Sequence, residues 1–407
     1  MNFSSHGIYN LHIGTDFLRS FFTQHNGRIN FLEYLGDFLA VENVFLVDSG
    51  RTALSAALQL LDCKGKDVLV NAYTTDVVHN TIKASGANPV LFDISPTTLK
   101  PDMNSIKQLV TKNTVAIIHT GLFGFPSFPT ELSDQAKALG IPVIEDICNS
   151  FGCITGKTKS GTTGDMSILS FRVGKPLSSG GGALIINNPQ LVNKYRNSSI
   201  KIKECSSLKD HYSFFRVLLD YIVMSPLFLR YIARPIRRAT RGTKLGSLIV
   251  KGGVVDTSSI PTPDDLSDMG NVQSRLAAIK LSEYSRSMKQ KRESGSKLRA
   301  LLEGLPLKIV GLDEVESWNG LFFPILLQND NTEHFQNFCR SNGFDVSRFH
   351  YETPGMILSN DVLEQRFSGS AELSRRLVCL PCPSDDKSRN RLISVLSSYF
   401  QENKILT

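Results

Sequence analysis

Between residues 65 and 190, short apolar, β-branched runs alternate with helix-length segments broken by Gly or Asn. The runs are 68–70, 89–92, 115–118 and 142–144, and two more, 166–171 and 183–186, flank a glycine cluster. Strand-length runs spaced this way predict an α/β domain with a mostly parallel sheet. An open sheet of that kind binds its ligand beyond the carboxyl ends of the strands. Residues 271–303 keep apolar helical spacing until Gly304-Leu305-Pro306, which predicts one long helix. Beyond it the runs 307–310, 321–327 and 377–380 alternate with helical segments 333–341 and 388–400, the pattern of a smaller α+β domain. The expected organisation is therefore a large domain over residues 1–265 with an insertion at 201–251, a connecting helix within 266–304 and a small domain over 305–407.

Composition mainly excludes. With 407 residues, 41% hydrophobic and 20% charged, the chain is long enough for two domains and too apolar for disorder or a charged rod. Seven cysteines, an odd number scattered along the chain, do not form the framework of a secreted domain and predict a reducing, cytoplasmic setting. The start, Met1-Asn2-Phe3-Ser4-Ser5-His6, lacks the basic and apolar regions of a signal peptide. No charge-free apolar run reaches the roughly 18–20 residues of a membrane-spanning helix.

The net charge of +7 is local: residues 201–251 hold eleven basic and three acidic side chains, a surplus of eight, which leaves the rest at minus one. A nucleic-acid binder spreads its charge over a whole domain, so no nucleic-acid partner is expected. Within this segment Phe214 to Met224 and Leu227 to Ala233 are rich in aromatic and aliphatic residues, break at Pro226, and lead into Arg234, Arg237, Arg238 and Arg241. Over 214–241 this reads as an element lying on the inner face of a membrane. An equally physical reading is a helical insertion packed in a dimer with its arginines solvated.

Five local features carry possible chemistry. Ser49-Gly50-Arg51-Thr52-Ala53-Leu54 opens an apolar helix, where a turn offers backbone N–H groups to an anion or simply caps the helix. Ile144-Glu145-Asp146 puts a carboxylate at a strand tip, able to hold a cationic ring nitrogen or to end the strand in solvent. Ser170-Phe171-Arg172-Val173-Gly174-Lys175 sets a lysine between a strand and the cluster Gly180-Gly181-Gly182, as a nucleophile or as a surface residue. Gly164-Asp165, and Asn149 with Ser150-Phe151-Gly152, are weaker marks.

In this order and spacing the features resemble the DegT/DnrJ/StrS family of pyridoxal-phosphate (PLP) aminotransferases, with supporting likeness in 31–46, in 73–93, in Asp268-Met269-Gly270-Asn271 and in Leu380-Pro381. The resemblance implies the type I aminotransferase fold, a homodimer and PLP as cofactor. Residue by residue, it implies that Lys175 is the lysine that binds the cofactor covalently and that Asp146 pairs with its ring nitrogen. Arg51, Thr52, Ala53 and Ser170 would hold its phosphate, and Asn149 would stand where the family commonly has Gln. Thr75 falls where many members stack an aromatic ring, so either Tyr73 moves in or the stacking is weaker. Leu266 falls where the neighbouring subunit's phosphate-binding Asn would be, with Asn271 as a substitute, and Gly121 replaces a His. Sugar-dehydrating relatives carry His in place of the lysine, and Lys175 argues against that branch.

A further segment, Arg348-Phe349-His350-Tyr351, is placed to approach a substrate or to form a strand. Cys379 and Cys382 have metal-pair spacing without a second pair, which argues against zinc. The function implied by the resemblance is transfer of an amino group, from glutamate, to a nucleotide- or lipid-linked keto-sugar in surface polysaccharide, lipopolysaccharide or amino-sugar biosynthesis. The rival is a PLP-fold protein retained for binding or regulation without turnover.

Overall fold

The computed structural model describes residues 13–23, 26–126, 130–223, 265–311, 317–348 and 365–403. Its main sheet comprises β1 (Val44–Val47), β2 (Asp67–Asn71), β3 (Asn88–Phe92), β4 (Thr114–Thr120), β5 (Val143–Asp146), β8 (Met166–Ser170) and β9 (Gly182–Ile186). A two-stranded hairpin of β6 (Ile154–Thr155) and β7 (Thr158–Lys159) lies between β5 and β8 in the chain. The order across the sheet is β1-β9-β8-β5-β4-β2-β3, and β9, antiparallel to both neighbours, is the one reversed strand. The parallel sheet expected from the sequence is present; the edge strand β1 is an addition that four residues could not announce.

The apolar runs become strands because both faces of the sheet are covered. Ala116 and Ile118 of β4 enter one core with Val68 and Val70 of β2, while Ile117 and Leu69 enter another, as the alternation of a strand requires. Neighbouring β2, β4, β5 and β8 end at one edge, and there Asp146 pairs in register with Thr120 and Ile168.

The long helix, Asn271–Leu302, runs across the molecule and packs on the helix Gly27–Leu39. The residue at its N-cap, Gly270, has no side chain, so Asp210 caps the helix instead, accepting from Val272 N at 2.9 Å and Gln273 N at 3.4 Å. Asp210 belongs to a helix, Ser207–Val223, whose inner side chains Phe214, Val217 and Tyr221 pack with Phe17, Val272 and Leu276. Phe214 and Tyr221 belong to the segment expected to lie on a membrane. In the fold they are core residues, and the helix starts seven residues earlier than the apolar run suggests. Of the proposed surface element, 224–241 lies outside the described residues.

After the long helix, β10 (Leu307–Ile309), β11 (Phe323–Leu327) and β12 (Leu377–Leu380) form an antiparallel sheet. The helices Thr332–Ser341, Ser368–Arg376 and Asp386–Glu402 accompany it. Its core is continuous with that of the large sheet: Trp318, 1% exposed, donates its indole N–H to Phe123 O at 3.1 Å, and Leu69, Ile117, Ile325 and Val378 share one cluster. Asp93, just past β3, accepts from Gly369 N, Ser370 N and the Ser370 hydroxyl, tying the helix Ser368–Arg376 to the large sheet.

Candidate active site

At the carboxyl edge of the sheet lies a cavity of about 300 Å³. Its lining joins Ser49, Gly50 and Arg51 from the turn after β1, Thr75 from the turn after β2, Asp146 and Cys148 from the end of β5, and Ser170 at the end of β8 with Lys175 from the turn beyond it. Four sequence-distant segments thus converge because the parallel strands that carry them end together.

Alternation along β5 separates its two carboxylates. Asp146, 3% exposed, faces the cavity and accepts from Cys148 N at 3.1 Å. Glu145 points to the opposite face and accepts from Gly161 N, Thr163 N and Gly164 N at 2.6–3.0 Å, so it anchors the loop that feeds β8. Burial pushes the Glu145 carboxyl up, and these three N–H groups pull it back. Asp165 likewise takes a structural part, accepting from Val143 N at 2.9 Å and from the Asn188 side chain at 2.7 Å.

Lys175 sits in the turn after β8, where its ammonium donates to Asn149 Oδ1 at 2.8 Å. Asn149, 6% exposed, is held from behind: the Asn319 carboxamide donates to Asn149 O at 2.7 Å and to Phe151 O at 3.0 Å. On the other side the Ser178 hydroxyl donates to Lys175 O at 2.5 Å and accepts from Gly174 N at 3.1 Å. Backbone approaches the turn closely. A Cβ on Gly182 would stand 2.6–2.7 Å from Leu169 O, Ser49 C and Gly50 N, so glycine there lets the helix Gly50–Leu60 start directly above β8 and β9. Gly50 in turn lies against Ser170, which brings the positive end of that helix and a hydroxyl to one corner of the cavity.

The sequence-predicted residues divide. Arg51, Thr75, Asp146, Ser170 and Lys175 line the cavity, and Asn149 touches Lys175. Thr52 and Ala53 are buried at 1% and 0%. The Thr52 hydroxyl is turned to Asp48 Oδ1 at 2.5 Å and its N–H to the Ser49 cap at 3.2 Å, so this pair builds the turn from behind. Tyr73 is packed in the main core near Phe123 and does not move in beside Thr75. Asn271 spends its side-chain oxygen on Gly27 N and Arg28 N, and Leu266 is fully buried in the core behind the sheet. A side chain at Gly121 would collide with the Ser150 hydroxyl. Arg348 lies in the C-terminal part, donating to Ser374 O at 3.0 Å, and 349–351 are outside the described residues.

An outer wall completes the cavity that the motifs alone do not outline. Tyr212, Ser213, Arg216, Val217 and Asp220 of the helix Ser207–Val223 line the cavity, as does Arg172. The signal was present: Arg216 and Asp220, four apart, are the charged pair in an otherwise apolar stretch. Burial raises the Asp220 carboxyl, while Arg216 and Arg172 draw it down. Burial also raises the Cys148 thiol, which keeps it protonated at the cavity floor.

The arrangement is a primary amine, a buried carboxylate at a strand tip and a helix N-terminus with a hydroxyl, all facing one enclosed space. That set fits PLP: an amine for its aldehyde, a carboxylate for its ring nitrogen and a cradle for its phosphate. The architecture is the type I aminotransferase fold, shared with the aminotransferase TlmJ from Streptoalloteichus hindustanus at a TM-score of 0.71 and 16% identity over 97% of both chains. Residues 15–214, just under half of the chain, match the DegT/DnrJ/EryC1/StrS aminotransferase family. The chain is 30% identical to the GDP-perosamine synthase of Vibrio cholerae over 175 residues, 43% of this chain and 45% of that protein. It is 32% identical to the dTDP-4-dehydro-2,3,6-trideoxy-D-glucose 4-aminotransferase of Saccharopolyspora spinosa over 157 residues, 38% and 41% of the two. The match thus spans less than half the length of these curated relatives.

Proposed function

We propose that this protein is a PLP-dependent aminotransferase that moves an amino group, with glutamate as donor, to a keto-sugar carried on a nucleotide or lipid, in the biosynthesis of surface polysaccharide, lipopolysaccharide or other amino-sugars. The observation that carries the reading is Lys175, held by Asn149 at 2.8 Å inside a cavity that also contains Asp146 and the Ser49–Arg51 turn. The sugar-aminotransferase relatives support the substrate class.

When bound, PLP supplies an aldehyde for covalent attachment and a protonated ring that takes up electron density from the substrate carbon. Lys175 would anchor the cofactor through its Nζ, and the same amine is placed to carry a proton during the transfer. Asn149 Oδ1 orients that amine by accepting a hydrogen bond from it. Asp146 would pair with the ring nitrogen and favour its protonated form, and its burial would strengthen the pairing. Ser170 and the N-terminus of the helix Gly50–Leu60 would hold the phosphate, with Arg51 beside them.

The test is a panel of nucleotide-linked keto-sugars with glutamate, read by mass. A protein that binds PLP but gives no half-reaction with glutamate or any other amino donor, and aminates no sugar, sinks the reading in favour of a binding or regulatory role.

The same reading includes assembly as a homodimer in the cytoplasm and peripheral contact with an anionic membrane surface. No helix among the described residues is long and apolar enough to cross a membrane. Support for surface contact comes from the outer side of the helix Ser207–Val223, where Leu208, Tyr212, Phe215, Leu219 and Ile222 are 46–86% exposed at spacings of three and four residues. The chain continues from that helix into the arginines at 234, 237, 238 and 241. Changing these four to Gln should release the protein from anionic liposomes. Wild-type protein that stays in the supernatant at low salt ends the membrane proposal.

A further inference from the structure

A side chain from the C-terminal part of the chain reaches the segment that holds Lys175. Asn319 lies between the long helix Asn271–Leu302 and β11, and it is 2% exposed. The stretch around it is zipped to the turn after β4: the Trp318 indole N–H donates to Phe123 O at 3.1 Å, Asn319 N to Gly124 O at 2.9 Å and Phe322 N to Phe123 O at 3.3 Å. Gly124, with φ of 91°, makes room for the carboxamide, since a side chain there would collide with Asn319 Oδ1.

That carboxamide is fixed at both ends. Its oxygen accepts from Leu321 N at 3.0 Å, and its nitrogen donates to Asn149 O at 2.7 Å and to Phe151 O at 3.0 Å. The two carbonyls differ in what else they hold. Phe151 O also accepts from the Tyr284 hydroxyl at 2.9 Å, whereas among the described residues Asn149 O accepts from Asn319 alone. Removing that donor leaves a buried carbonyl unpaired, which drives the backbone of Asn149 to shift in search of another. An asparagine side chain has only two torsions, so its Oδ1 follows the backbone closely, and this Oδ1 is the atom that accepts from Lys175 Nζ at 2.8 Å.

We propose that Asn319 is a positioning residue for Lys175 and acts through the Asn149 backbone: it sets where Asn149 Oδ1 stands, and so where the amine is aimed. The inference rests on the aminotransferase reading for what Lys175 does once aimed. It gives the C-terminal part of the chain a share in the reaction, because β11 begins four residues beyond Asn319.

The test follows capture of PLP by the full-length protein. PLP is added, samples are quenched with borohydride at intervals, and the rate of labelling at Lys175 is read from the mass of its tryptic peptide. Asn319→Ala should slow labelling about tenfold, because the amine is no longer held in line. Asn149→Ala should slow it as much, and the double variant should be no slower than Asn149→Ala, since both changes remove the same hold. Tyr284→Phe, which takes the other donor from Phe151 O, should lower the urea midpoint and leave labelling unchanged. Labelling of Asn319→Ala at the wild-type rate overturns the proposal. So does a double variant slowed by the product of the two single effects, or a Tyr284→Phe variant slowed as much as Asn319→Ala, because Asn319 would then serve the fold at large. Asn319→Ser, whose hydroxyl is too short to span both carbonyls, gives the same reading should the alanine variant not fold. Wild-type protein that PLP labels at other lysines but not at Lys175 removes the aminotransferase reading and this inference with it. Labelling at Lys175 that depends on Asn319, without any amino-donor half-reaction, retains the positioning role and removes the aminotransferase reading alone.

Discussion

The floor of the cavity stands on interior strands: β5 is hydrogen-bonded to β4 and β8, and β8 to β5 and β9. Its outer wall stands on one helix, Ser207–Val223, held by three buried side chains, the Asp210 cap and the contact of Tyr221 with Ser178. The floor cannot shift without breaking ladder bonds in the centre of the sheet. The wall can be exchanged by replacing a helix that no strand depends on. Chemistry common to a family belongs on the first kind of support and substrate choice on the second. Changes in the floor should therefore affect every substrate alike, and changes in the wall should affect stability and acceptor binding.

The largest effect is expected at the floor. Lys175→Ala should reduce the glutamate half-reaction by about a thousandfold or more, as the loss of a proton-transfer group does, with the fold intact by circular dichroism. Arginine should not restore it, because its guanidinium stays protonated and cannot attack an aldehyde. Normal turnover by Lys175→Ala would remove the residue from the role.

Next comes the support of the wall. Phe214 is 2% exposed, with its ring 5.1 Å from Phe17. Phe214→Ala should cost about 3 kcal/mol in urea unfolding, the transfer of the ring plus the cavity it leaves. A loss below about 1 kcal/mol would mean that the wall helix is anchored elsewhere, and the comparison would lose one side.

Asp146→Asn should lower turnover by roughly a hundredfold while PLP content falls little, because a neutral amide no longer holds charge against the ring nitrogen. A fully active variant would show that the carboxylate only ends its strand.

The same division decides what could be read from the sequence. The strands of the floor are apolar runs covered on both faces, so local pattern and final environment agree for β2, β4, β5, β8 and β9. The order Asp146, Ser170, Lys175 follows from strand ends, which a linear sequence preserves. Whatever depends on a distant partner was not legible. Asp210 caps a helix that begins sixty-one residues later. Glu145 and Asp146 look alike in sequence, and the loop at 161–164 decides that Glu145 is structural. Thr52 stands at a helix start, where a hydroxyl can meet a phosphate, but it gives that hydroxyl to Asp48, four residues earlier. The wall helix begins with Ser207-Leu208-Lys209-Asp210-His211, too polar for the apolar run to mark its start, and Phe214 looked surface-bound because its partners Phe17 and Val272 lie far away in the chain.

The smallest effect tests the connection between wall and floor. The Tyr221 hydroxyl donates to Ser178 O at 2.7 Å, and Ser178, with φ of 48°, is the residue whose own hydroxyl holds Lys175 O and accepts from Gly174 N. A non-glycine residue in the left-handed region is strained, so its surroundings must hold it there. Tyr221→Phe keeps the ring against Phe17, 5.5 Å away and edge-on, and removes this donor from the Ser178 carbonyl. The expected loss is about 1 kcal/mol in urea unfolding, the usual worth of a buried hydrogen bond. Because the same carbonyl sits in the lysine turn, Tyr221→Phe should also speed hydrogen exchange at the amides of 174–180, whereas Phe215→Ala on the exposed side of the helix should not. Unchanged exchange in that turn, with stability lost all the same, would show that the wall supports only itself and that the floor holds Lys175 unaided.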